Sequence, residues 1–199
     1  MSARSFALAA LAVAPLAISY LPAVTSARAA ISLSDAAGRY TISPAGSSVR
    51  FSIRNMGGGD LNGAFAKFGG TIRIDAGDVG RSAVDITIYP ASVGTGQERI
   101  DAFLRSDAVF DTAREREIQF RSTGVKRIGE TTAVITGRLT ARGKTFPEQF
   151  TATLAGLKSG RIDFHVTGKV LRSRYGMDVG TPIYSNVVDF DMRLSARRG

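Results

Sequence analysis

The chain has 199 residues, 44% hydrophobic and 22% charged, which suits one globular domain with or without a targeting segment. It contains no cysteine, so disulfides, thiolate metal sites and cysteine nucleophiles are excluded. Its formal net charge is +9, yet there is no tryptophan and no aromatic stacking motif interleaved with basic residues, which argues against nucleic-acid binding. Basic residues such as Arg50, Arg54, Arg73 and Arg138 stand singly at alternating positions. That is the pattern of a solvated basic face, compatible with transient contact with an anionic membrane surface.

Residues 1–29 read as an address. Arg4 supplies a positive start, an apolar run extends from Phe6 to Val24, and Ala27-Arg28-Ala29 fits the small-residue cleavage pattern of a secretory signal peptide. Pro15 and Pro22 interrupt the run, which weakens the competing reading of a retained membrane anchor. Cleavage after Ala29 removes Arg4 and Arg28 and no acid, taking the charge from +9 to +7. The expected destination is the periplasm. Residues 30–37 read as a flexible lead-in, and residues 38–199 as one domain with no linker, repeat or low-complexity tract.

From there the dominant signal is period-two alternation. Arg39–Ile42 is a weak strand, and Ser48–Arg54 a strong one with Val49, Phe51 and Ile53 on one face. Weak strands follow at Ala64–Phe68 and Thr71–Asp75, then a strong one at Ala83–Ile88. The alternation then breaks. Across Gln97–Arg105, Ile100, Phe103 and Leu104 fall at helical spacing, which predicts a short amphipathic helix suited to capping a barrel end or lying on the surface. Weak strands return at Glu117–Ser122, Ala133–Thr140 and Gln149–Leu154. Arg161–Thr167 and Val188–Leu194 alternate clearly. Gly57-Gly58-Gly59 and Gly69-Gly70 mark bends or bulges.

About eight to ten strands with one apolar face each predict an all-β domain whose antiparallel sheet closes or splits into two layers. The pattern alone leaves a barrel and a dry-cored β-sandwich interaction or inhibitor domain both open. It argues against an enzyme. The single histidine, His165, falls on the outward parity between Phe164 and Val166, so neither a Ser-His-Asp triad nor a histidine zinc site can be built. Asp101 and Asp107, six apart in and beyond the helix, share a face poorly for paired-carboxylate chemistry. No cofactor is expected.

Five segments, in order, resemble the YceI-like family: Tyr40–Pro44 with Ser48–Ile53; Gly63–Gly70; Arg99–Ser106 with Phe110-Asp111; Gly137–Gly143; and Arg172–Met177. The resemblance lapses where no histidine precedes Ser48, where Asn55 stands at the place of a frequent second one, and in the looser Gly143–Pro147. The missing histidines argue against a metal role at that mouth.

What the resemblance implies is a lipocalin-like extended antiparallel β-barrel of about eight strands with a short capping helix. Its cavity would carry or sequester a long-chain amphiphile such as a polyisoprenoid, an isoprenoid quinone or a related lipid, without catalysis. Alternation places Val49, Phe51, Ile53, Phe65, Phe68, Ile86, Phe164, Val166 and Phe190 on the inner face. In a dry core they would fill space; the resemblance makes them the cavity lining. Guanidinium forks suit phosphate or carbonyl oxygens, so Arg105, Arg172 and Arg174 are the candidate head-group donors. The competing reading is loop-tethering salt bridges to Asp101, Asp107 or Asp178. Edge strands or a shared barrel mouth would also suit a homodimer.

Overall fold

A computed structural model describes residues 31–199, and the signal-peptide reading of residues 1–29 lies outside them. The two alternating stretches at 39–42 and 48–54 prove to be one long strand, β1 (Gly38–Asn55). Its register shifts between Ser43 and Ser48, around Gly46 at φ +84°. Ser47 holds this bulge closed: its hydroxyl donates to the Ser43 carbonyl at 2.6 Å and accepts from the Ser195 amide at 2.8 Å. The extra residues let the strand bend without losing its inward face.

β2 (Leu61–Phe65) and β3 (Phe68–Ile74) run in line along β1, β2 beside Val49–Ile53 and β3 beside Gly38–Ile42. β4 (Ala83–Ile88) and β5 (Val93–Gly94) lie in line beside β3 and β2. Both breaks are bonded together, Ala66 N–H to the Ser92 carbonyl at 3.1 Å and Tyr89 N–H to the Lys67 carbonyl at 3.0 Å. Each broken pair therefore serves as a single stave. Helix α1 (Glu98–Arg105) follows, one residue shorter at its start than the spacing predicts, with Leu104 buried and Phe103 exposed.

β6 (Ile118–Arg127), β7 (Thr132–Ala141), β8 (Lys144–Lys158), β9 (Arg161–Leu171) and β10 (Tyr184–Arg198) then pair each with the next. β10 returns to β1 from Tyr40 opposite Arg198 to Asn55 opposite Tyr184. The result is a closed eight-stranded antiparallel barrel, the fold class that the sequence and its family resemblance imply. Closure pairs β10 with β1 and leaves the short β5 with a single partner, β2, and the β-sandwich alternative falls with it.

One seam is short. β4 meets β6 only over Asp85–Ile88 against Ile118–Arg121. On one side of that ladder the 3₁₀ turn Val79–Arg81 packs on β6, and Ser122 Oγ accepts the Val84 amide at 2.8 Å.

The antiparallel order sorts the loops to two ends. The helix end carries the β1–β2 turn, residues 95–117 with α1, the β7–β8 turn and the 172–183 loop. The terminal end carries residues 31–37, the 75–82 loop, the β6–β7 and β8–β9 turns and the C-terminus. Residues 31–37, expected as a flexible lead-in, are docked there. Leu33 and Ala36 are buried, and the Leu33 amide donates to the Glu130 carbonyl at 2.9 Å. Two apolar side chains spaced one turn apart supply the packing that a loose segment would lack.

Candidate functional site

Inward parity on eight staves puts a continuous apolar wall around the barrel axis, and the wall does not fill the space it encloses. An internal cavity remains, with about 100 Å³ open to the centre of a water-sized sphere. One water needs about 10–15 Å³ by that measure. The cavity extends from Phe65, Ile118 and Phe190 toward the terminal end, where Leu33, Ile74 and Val79 bound it. Ser82 is the one polar residue among those lining it, and its hydroxyl accepts the Asp75 amide at 3.1 Å. An apolar cavity without hydrogen-bonding partners holds water poorly and hydrocarbon well.

The structure splits the expected lining into two groups. Phe65, Ile86, Phe164, Val166 and Phe190 line the cavity. Val49, Phe51, Ile53 and Phe68 do not; they are buried in the packed core. Parity was right for all nine, but it says nothing of height along the axis, and the cavity occupies only part of that height. Most of the remaining wall comes from strands that alternate weakly in sequence, through Ile72, Phe120, Ile135, Leu139 and Phe150.

The three candidate head-group arginines stand apart from this wall, and none lines the cavity. Arg172 is buried, and its guanidinium is committed to the loop it precedes. It donates to the carbonyls of Met177, Val179 (2.9 Å), Tyr184 (3.0 Å) and Ser185 (2.9 Å). Burial lowers its pKa from the ordinary guanidinium value, an effect opposed by Asp178. The head-group reading of Arg172 is therefore corrected: backbone carbonyls occupy the donors a ligand would need. Arg105 donates to the Val93 carbonyl at 3.3 Å, tying α1 to β5. Arg174 is half-exposed and lies 3.8 Å from Glu148.

A buried polar cluster at the helix end escaped the sequence reading. Tyr175, 1% exposed, donates its hydroxyl to Glu148 Oε1 at 3.0 Å and packs edge-on against Phe146. Burial first, and the Glu148 carboxylate second, push the Tyr175 phenol above its ordinary pKa. Arg142 spans the same end, donating to the carbonyls of Asp107 (2.9 Å), Val109 (3.1 Å) and Gly176 (2.8 Å). It thereby links the segment after α1 to the 172–183 loop. The signal was present: Glu148 falls on the inward parity of Phe146 and Phe150, where a carboxylate needs a partner.

His165 lies on the outer face as its parity predicts, 3.0 Å from Asp191, which also accepts from Arg50 at 2.8 Å. These bonds, Arg50 first, lower the Asp191 pKa. Among the described residues, no group of three or more His, Cys, Asp or Glu side chains is placed to hold a metal.

Comparison with known proteins agrees with this geometry. The sequence profile of the YceI-like domain matches residues 40–196. A UPF0312 protein of Serratia proteamaculans is 33% identical over 134 residues, covering 65% of this chain and 69% of that protein. Other curated relatives are matched over as little as 56% of their length. Among solved structures, Burkholderia cenocepacia BcnA superposes with a TM-score of 0.72 at 22% identity, over 77% of this chain and 98% of its own. A polyisoprenoid binding domain from Saccharophagus degradans gives 0.66 at 16% identity, over 80% of this chain and 98% of that domain. At such identities the two structures establish the fold.

Proposed function

We propose that this chain, which belongs to the YceI-like domain family, is an exported carrier that binds the tail of a long-chain amphiphile inside its barrel. The carrying observation is the enclosed, almost wholly apolar cavity bounded by Phe65 and Phe190 at one end and Leu33 at the other. A tail needs no directional partners. Burying several hundred square ångströms of it supplies gross stabilisation on the order of 10 kcal/mol before association and ordering costs. The Saccharophagus degradans domain, named for polyisoprenoid binding, supports an isoprenoid tail. An isoprenoid quinone belongs to the same chemistry. Binding alone accounts for the site, and no reaction is proposed.

The leader-like residues 1–29 support export to the periplasm, where such a carrier would load from or deliver to a bilayer by transient surface contact. A homodimer stays compatible with this reading, although closure of the barrel leaves little more than the two-residue β5 as a free sheet edge.

The test is to express the full chain in a bacterial periplasm, purify it without detergent, and record native mass spectra before and after organic extraction. The reading predicts a protein mass starting at Ala30 and a discrete adduct of several hundred daltons that extraction releases as an isoprenoid lipid. A bare mass that also refuses added polyprenol would overturn it.

A further inference from the structure

Three inward-facing glycines lie under aromatic rings, and their backbone gives no reason for glycine. Gly63, Gly137 and Gly168 sit in β2, β7 and β9 with none of the positive φ values found at Gly46 or Gly70. In an extended strand, glycine has low propensity and nothing to pack, so its presence there usually marks a close approach. Each of these is such a place. A Cβ on Gly63 would lie 2.7 Å from Phe51 Cε1 and one on Gly168 2.8 Å from Phe150 Cε1, whereas one on Gly137 would lie 2.6 Å from Phe120 Cε2 and also 2.5 Å from the Arg121 backbone carbonyl. All are far inside van der Waals contact.

The register shows what these notches do. Phe150 faces Gly168, which faces Phe190 on its other side. Phe120 leans over Gly137 and meets Phe150 edge-on at 5.1 Å, and Phe150 meets Phe190 at 6.3 Å. From β6 to β10 the wall thus reads ring, notch, ring, notch, ring. The rings of Phe120, Phe150 and Phe190 line the cavity, whereas Phe51, over Gly63, does not. The depth to which those rings lie back into the wall therefore bears on the bore of the cavity.

We infer that Gly168 is the specificity-determining residue of the tail site. By letting Phe150 lie back against the wall, it admits the methyl-branched cross-section of an isoprenoid chain. A methyl group on Gly168 drives that ring toward the axis, leaving a bore that passes only the slimmer polymethylene chain. The inference rests on the proposed lipid reading and adds to it the width of the tail.

The experiment uses the full chain, processed in the periplasm, stripped of lipid and titrated with a polyprenol and with a straight-chain fatty alcohol of equal carbon number. Gly168→Ala is expected to weaken polyprenol binding about tenfold, near 1.4 kcal/mol, and to leave the straight-chain alcohol within about twofold. Adding Phe150→Leu to Gly168→Ala removes the displaced ring and is expected to restore polyprenol binding. Phe150→Trp, which enlarges the same ring and leaves Gly168 in place, repeats the test should Gly168→Ala fold poorly, and is expected to weaken polyprenol binding while sparing the straight-chain alcohol. Equal losses for both ligands, unchanged polyprenol binding in a folded variant, or no rescue would overturn the inference. Wild-type protein that takes up neither ligand would instead overturn the lipid reading beneath it.

Discussion

At the helix end, the interior is closed by directional ties. Arg172 gathers two carbonyls of the 172–183 loop and two at the start of β10, Arg142 joins that loop to the segment after α1, and Tyr175 donates to Glu148. Between Phe65 and Leu33, the wall is apolar apart from Ser82 and surrounds a cavity. Hydrogen bonds to buried charge fix positions, because leaving such groups unpaired is costly. Aliphatic contacts fix only volume, and where they fail to meet, the barrel stays hollow. On the proposed function, the first region is scaffold and the second takes the lipid tail.

The contrast can be broken most severely at Arg172. Arg172→Ala leaves the Met177, Val179, Tyr184 and Ser185 carbonyls without their donor. The expected loss is about 3 kcal/mol in urea denaturation. Lipid affinity of the folded fraction should hold, since Arg172 does not line the cavity. A large loss of affinity without loss of stability would return Arg172 to the head group.

A paired substitution sharpens the same contrast. Ala141 is buried at the helix end away from the cavity, whereas Ala152 lines it. Ala141→Leu should cost about 1–3 kcal/mol through overpacking. Ala152→Leu should find room and cost little, while displacing bound lipid in a competition assay. Equal costs would mean that both regions are packed alike.

Tyr175→Phe should cost about 1 kcal/mol at neutral pH through its lost bond to Glu148. The raised phenol pKa fixes the sign of its pH dependence. Above the ordinary tyrosine value of about 10, the unfolded chain releases a proton that the folded protein retains. The stabilisation that Tyr175 contributes is complete below that value and declines as pH rises toward the folded pKa. Wild-type protein should therefore lose stability between neutral and strongly alkaline pH more steeply than Tyr175→Phe, read as thermal midpoints. Parallel curves would contradict the buried phenol–carboxylate pair.

Much of the wall was legible in sequence because parity is local. Val49, Phe51 and Ile53 alternate within a few residues, so their inward face follows from strand geometry alone. Closure was not local: it depends on β10 returning to β1 across nearly the whole domain, and only the family resemblance spoke to it. The site was half legible for the same reason. Phe164 and Phe51 share a parity and a residue class, yet one lines the cavity and the other fills the core, because height along the axis comes from strand register. Arg172 offers in sequence a fork suited to a head group, and the four carbonyls that take its donors become visible only when the loop after its 3₁₀ turn and the start of β10 fold onto it. Glu148 lies one residue before the weakly alternating stretch that begins at Gln149, so the parity of that stretch does not reach the inward carboxylate.

The most direct measurement follows isoleucine methyls by NMR as a polyprenol is added to lipid-free protein. The δ-methyls of Ile72, Ile74, Ile86, Ile88, Ile118 and Ile135 report on the cavity wall. Those of Ile42, Ile53 and Ile162 lie in the packed core, and Ile128 and Ile183 are exposed. A loadable cavity predicts saturable shifts in the first set and still resonances in the second. Shifts confined to Ile128 and Ile183, or none at all, would place the lipid on the surface or nowhere and would contradict the carrier account.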